Sequence, residues 1–115
     1  MELKLVVAII PPLSLESVEK KLQEMGVRGV TAVRAKSFGA YANFLAREWL
    51  VDQVKIEIYA EQNRAESIAA AILDTAHTGS PGNGIVAILP VERIFSVRTK
   101  SGVIPNALRP SAPRE

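Results

Sequence analysis

Residues 54–61 read Val-Lys-Ile-Glu-Ile-Tyr-Ala-Glu, an unbroken alternation, and no other stretch restricts the fold as much. Val54, Ile56, Ile58 and Ala60 fall on one side of an extended chain, while Lys55, Glu57, Tyr59 and Glu61 fall on the other. Such a run is a strand with one face on a core. A helical period follows at once: Ala65, Ile68, Ala69, Ile72 and Ala76 form an apolar stripe, with Asn63 and Glu66 spaced as a capping box and His77 at the far end. A strand that feeds an amphipathic helix needs further strands beside it, so that the helix has a sheet to cover.

The rest of the chain supplies them. Residues 2–10 (ELKLVVAII) are dominated by β-branched and leucine side chains and stop at Pro11 and Pro12, which predicts a strand buried on both faces. Ser14 is placed to cap a helix whose apolar positions are Leu15, Val18, Leu22 and Met25, with Gly26 as its stop. Residues 29–36 alternate and predict a second strand. The run 85–89 (IVAIL) predicts a fully buried strand, and residues 92–99 predict a further extended segment. The order strand, helix, strand, long loop, strand, helix, loop, strand is that of the α+β ferredoxin-like βαββαβ sandwich, an antiparallel sheet with two helices on one face. The other face is left open, to be covered by further copies of the chain or by another protein.

Two segments stand outside this periodicity. Thr78-Gly79-Ser80-Pro81-Gly82-Asn83-Gly84 holds three glycines in seven residues. A loop of this kind brings several backbone N–H groups to one point, where they suit an anion; Pro-Gly and Asn-Gly are also ordinary turn pairs, so a tight connection is the competing reading. Residues 37–52 (SFGAYANFLAREWLVD) lack a sustained period yet carry two of the three phenylalanines and the sole tryptophan. Tyr41, Phe44, Leu45 and Trp49 are there either to fold back on the core or to meet a partner.

Composition excludes several classes. At 115 residues the chain suits one domain, taken as residues 1–104, with residues 105–115 as a disordered Pro-rich tail. A net charge of +2 gives no ground for nucleic acid or an anionic membrane as partner. The apolar N-terminal run is too short to insert in a membrane, and a cytoplasmic address is the default. The chain has no cysteine, and His77 is its sole histidine, which leaves neither a thiolate nucleophile nor a histidine-based metal centre. Glu57 and Glu61 lie among Lys55 and Tyr59, a polar face rather than an acid–base pair. We expect no enzyme, no cofactor and no bound metal.

The motifs in order resemble the PII signal-transduction family. The resemblance spans roughly residues 3–99 and rests on Ile9-Ile10 before proline, Gly26 with Gly29-Val30-Thr31, Lys36-Ser37-Phe38-Gly39, Val54-Lys55-Ile56-Glu57-Ile58, Thr75-Ala76-His77-Thr78-Gly79, Gly82-Asn83-Gly84 and Val97-Arg98-Thr99. It implies a homotrimer that binds adenine nucleotide in the clefts between subunits. It also implies roles in nucleotide binding: Thr78, Gly79, Gly82, Asn83 and Gly84 cradle phosphates, Thr31 and the backbone at Tyr59 meet the adenine, and Ser37, Phe38 and Gly39, at the root of the target-contacting loop, belong to the same nucleotide site. Arg98, with Arg93 as a lesser candidate, reaches the phosphates from a neighbouring subunit, as a planar guanidinium fork suits.

Where the chain departs from the family pattern, it loses charge. The phosphate-loop lysine is replaced by Ile85, one closing arginine by Ser96, and the arginine-glutamine pair after the root glycine by Ala40-Tyr41. The loop is shorter than the family's, and Trp49 stands where some members carry a modifiable tyrosine. These losses imply ADP or AMP in preference to ATP, no clear 2-oxoglutarate response, and a divergent regulator of a transporter or carbon-acquisition system, with bicarbonate or cyclic AMP among the candidate second effectors. The alternative is a ligand-independent trimeric adaptor in which the glycine loop is only a connection.

Overall fold

The computed structural model describes residues 2–38, 50–77 and 84–102. Four strands, β1 (Leu3–Ile10), β2 (Thr31–Ser37), β3 (Val51–Glu61) and β4 (Ile85–Val91), form one sheet in the order β2-β3-β1-β4, with every pair antiparallel. Helices α1 (Leu15–Glu24) and α2 (Gln62–Ala76) cover one face. This is the ferredoxin-like sandwich that the element order predicts.

Register sets the two faces. Val6 pairs with Ile58, Ala8 with Ile56 and Ile10 with Val54, and all six are buried beneath Val18 and Leu22 of α1 and Ala65, Ile68, Ala69 and Ile72 of α2. Their one-residue neighbours point the other way: Leu5, Val7 and Ile9 of β1 lie beside Leu89, Ala87 and Ile85 of β4 on the uncovered face, the first three half-buried and the last three exposed. Hence β1 is buried on one face rather than two, and β4 is an exposed edge strand rather than a fully buried one. Their continuous apolar runs reflect a second face that none of the described residues covers. Pro90 is tolerated in β4 because the strand is an edge, where a missing N–H need not interrupt a ladder.

Helix boundaries differ from the caps expected of Ser14 and Asn63. Ser14 ends a 3-10 turn, Pro12–Ser14, and makes no side-chain cap. Strand β3 runs straight into α2 with Glu61 at the cap position, so Asn63 lies inside the first turn and no capping box forms. The stop of α1 matches expectation: Gly26 adopts φ 81°, its N–H reaches the Gln23 carbonyl at 3.0 Å, and the Val27 N–H reaches the Leu22 carbonyl at 3.0 Å. That doubled pattern is a Schellman motif, and it satisfies carbonyls the last helical turn would leave unpaired. Arg64 of α2 donates to the Met25 carbonyl at 2.8 Å and ties the two helices at the same point.

After β4 the chain does not stay extended over 92–99. It closes a tight turn in which Ser96 N–H donates to the Ser101 carbonyl at 2.9 Å and Lys100 N–H to the Ser96 carbonyl at 2.8 Å. Lys100 is left-handed, φ 58°. Local hydrogen bonds win over strand propensity here because no described strand lies alongside β4's outer edge to pair with.

Candidate functional site

The residues expected to bind nucleotide fall into two groups. At one end of the sheet stand Ser37, the last residue of β2, and Gly84, the residue before β4. Gly84 has φ 107°, and a Cβ built there would lie 1.7 Å from the Ile9 carbonyl oxygen. Only glycine lets the chain pass so close to β1 as it turns into β4. Ser37 is buried opposite Val51, Phe38 is exposed beyond it, and Lys36 bonds Asp52 across the same hairpin at 2.6 Å. The Lys36 hydrogen bond and charge hold the Asp52 carboxyl below its ordinary pKa, and the charge of Arg34 adds to this. Gly39, Thr78, Gly79, Gly82 and Asn83, together with the partner-loop candidates Tyr41, Phe44, Leu45 and Trp49, lie outside the described residues, as does the tail 105–115.

The second group lies elsewhere. Thr31, at the start of β2, pairs with Glu57, and Tyr59 pairs with Leu5, which puts both candidates on the uncovered face. Thr31 is three strands away from β4, about 14 Å at the usual strand spacing. Arg93 and Arg98 follow β4, which carries the chain about 20 Å from Gly84 at the usual rise per residue. The Arg93 guanidinium sits over the Phe95 ring, 5.8 Å from its centroid, and Arg98 is exposed on the Ser96–Ser101 turn. One chain therefore keeps Thr31, Tyr59 and Arg98 apart from Gly84. The resemblance implies that Arg98 acts from a neighbouring subunit; the strand register adds that Thr31 and Tyr59, too, lie apart from Gly84.

Ile85 brings no cation to the phosphate-loop position; its side chain is exposed on the uncovered sheet face. Beside it a half-open cavity of about 130 Å³ at the end of α2 is lined by Ile10, Ile72, Leu73, Ala76, His77, Gly84, Ile85 and Val86. Among the described residues no group of three or more His, Asp and Glu could hold a metal ion, and no helix is long and apolar enough to cross a membrane.

A ferredoxin-like sandwich with Gly84 at the entry to β4 and one sheet face not covered by described residues defines a small α+β protein. Residues 3–101 match the family model described as Nitrogen regulatory protein P-II. The chain is 36% identical over 104 residues to the Nitrogen regulatory protein P-II of Azospirillum brasilense, with 84% of this chain and 93% of the relative covered. It is 35% identical over 104 residues to the protein of that description from Rhizobium meliloti, with the same shares covered. A crystal structure of Arabidopsis thaliana PII bound to citrate superposes with a TM-score of 0.74 at 31% identity, covering 87% of each chain. The chain belongs to the P-II family of nitrogen regulatory signal-transduction proteins. Its members are regulators rather than enzymes, and they bind nucleotides as effectors rather than as cofactors.

Proposed function

We propose that this protein works in the cytoplasm as a homotrimeric nucleotide sensor, with ADP or AMP favoured over ATP, and that the bound nucleotide controls a target protein through residues 37–52. The observation that carries this reading is the separation of Gly84 from Thr31, Tyr59 and Arg98. A ligand touching both groups needs two copies of the chain, and the uncovered face with Leu5, Val7, Ile9, Ile85 and Leu89 gives those copies an apolar surface to share. The glycine loop of one copy then cradles phosphates while Arg98 of the next neutralises them.

The preference for fewer phosphates follows from Ile85 and Ser96, neither of which brings charge to the site. ATP concentrates its negative charge at the γ-phosphate, where those cations are missed most. Bicarbonate is the candidate second effector; the Arabidopsis relative is itself seen with a bound oxyanion, citrate. The target is a transporter or a carbon-acquisition system, met by Tyr41, Phe44, Leu45 and Trp49. Nucleotide contacts at Ser37, Phe38 and Gly39, the root of that loop, give ligand binding a route to the target surface. A ligand-independent trimeric adaptor is the second reading, favoured by the loss of cations at Ile85 and Ser96.

Calorimetric titration with ATP, ADP and AMP, each with and without magnesium and bicarbonate, separates them. Micromolar ADP or AMP with weaker ATP supports the sensor; no binding across the panel supports the adaptor. Arg98→Ala should weaken ADP binding more than tenfold, the loss of a charge-assisted contact of about 1.5–3 kcal/mol. Trp49 fluorescence should shift as ligand binds, and a flat signal during proven binding would remove residues 37–52 from the switch.

A further inference from the structure

We draw no further inference here: the strongest candidate, the half-open apolar cavity between the end of α2 and the start of β4 with Ile10, Ile72, Ala76 and Val86 in its walls, carries nothing, because residues 78–83, which join His77 to Gly84 at its rim, lie outside the described residues and nothing in the structure shows what covers it.

Discussion

Gly84 and the Ile9 carbonyl approach so closely that a single methyl group at residue 84 would fall 1.7 Å from the oxygen. This contact fixes where the glycine loop rejoins the sheet, and it ties the entry of an edge strand to the backbone of a central one.

Gly84→Ala should therefore be among the most damaging small substitutions. The added Cβ meets backbone, which cannot swing aside, at a φ that alanine rarely adopts. The expected loss is roughly 2–4 kcal/mol, read as a lower midpoint in urea unfolding with an unchanged slope. A loss below about 1 kcal/mol would contradict the close approach.

Ile72 and Leu13 separate burial from hydrophobicity. Ile72 is 1% exposed and packs in the core, whereas Leu13 is 97% exposed. Ile72→Ala should cost about 2–5 kcal/mol through lost transfer energy and a residual cavity. Leu13→Ala should stay within roughly 0.5 kcal/mol of the unaltered protein, and the pair of unfolding curves checks both at once.

The Lys36–Asp52 ion pair predicts a pH dependence whose sign follows from the lowered Asp52 pKa. The folded state releases the Asp52 proton more readily than the unfolded chain does. The pair's contribution is thus complete above the ordinary carboxylate value of 3.8 and is lost as pH falls below it through the folded pKa. Carboxyl carbon NMR should show Asp52 titrating below 3.8, and Lys36→Met should return it toward that value. Molar salt should have a similar effect, since both groups are exposed. An unmoved titration in Lys36→Met would mean that the pair does not set the shift.

Arg64→Met keeps the apolar stem but removes the donor to the Met25 carbonyl. The expected cost is about 1.5 kcal/mol, with faster amide exchange at Gly26 and Val27, where α1 ends. Unchanged exchange there would show that the Schellman motif holds the helix end by itself.

What could be read from the chain follows from which interactions are local. The alternation of Val54 to Ala60 and the stripe from Ala65 to Ala76 announce a strand and a helix because one periodic face of each is buried, as the core confirms. Val51 to Gln53 belong to the same strand but escaped notice, since they follow an aromatic stretch without period. Residues 85–89 read as fully buried because apolar side chains occupy both faces; that Ile85, Ala87 and Leu89 are exposed follows only from β4 being an edge strand whose other face packs on the helices. The turn at Ser96 was illegible because its left-handed residue is Lys100, where glycine or asparagine would have signalled it. As for the site, Gly84 was legible through its glycine neighbours, while the distance between Gly84 and Thr31 depends on strand order, which no local pattern encodes.

Pro90 has a consequence for the molecule's life in a crowded solution. An edge such as β4 offers a row of N–H and C=O groups on which stray strands could build, and the apolar side chains beside it would make the product insoluble. A proline in that row leaves a gap where a donor should be, close to the end of the strand. At this edge, though not at β2, the apolar face is thus bordered by a strand that is a poor template for another to pair with.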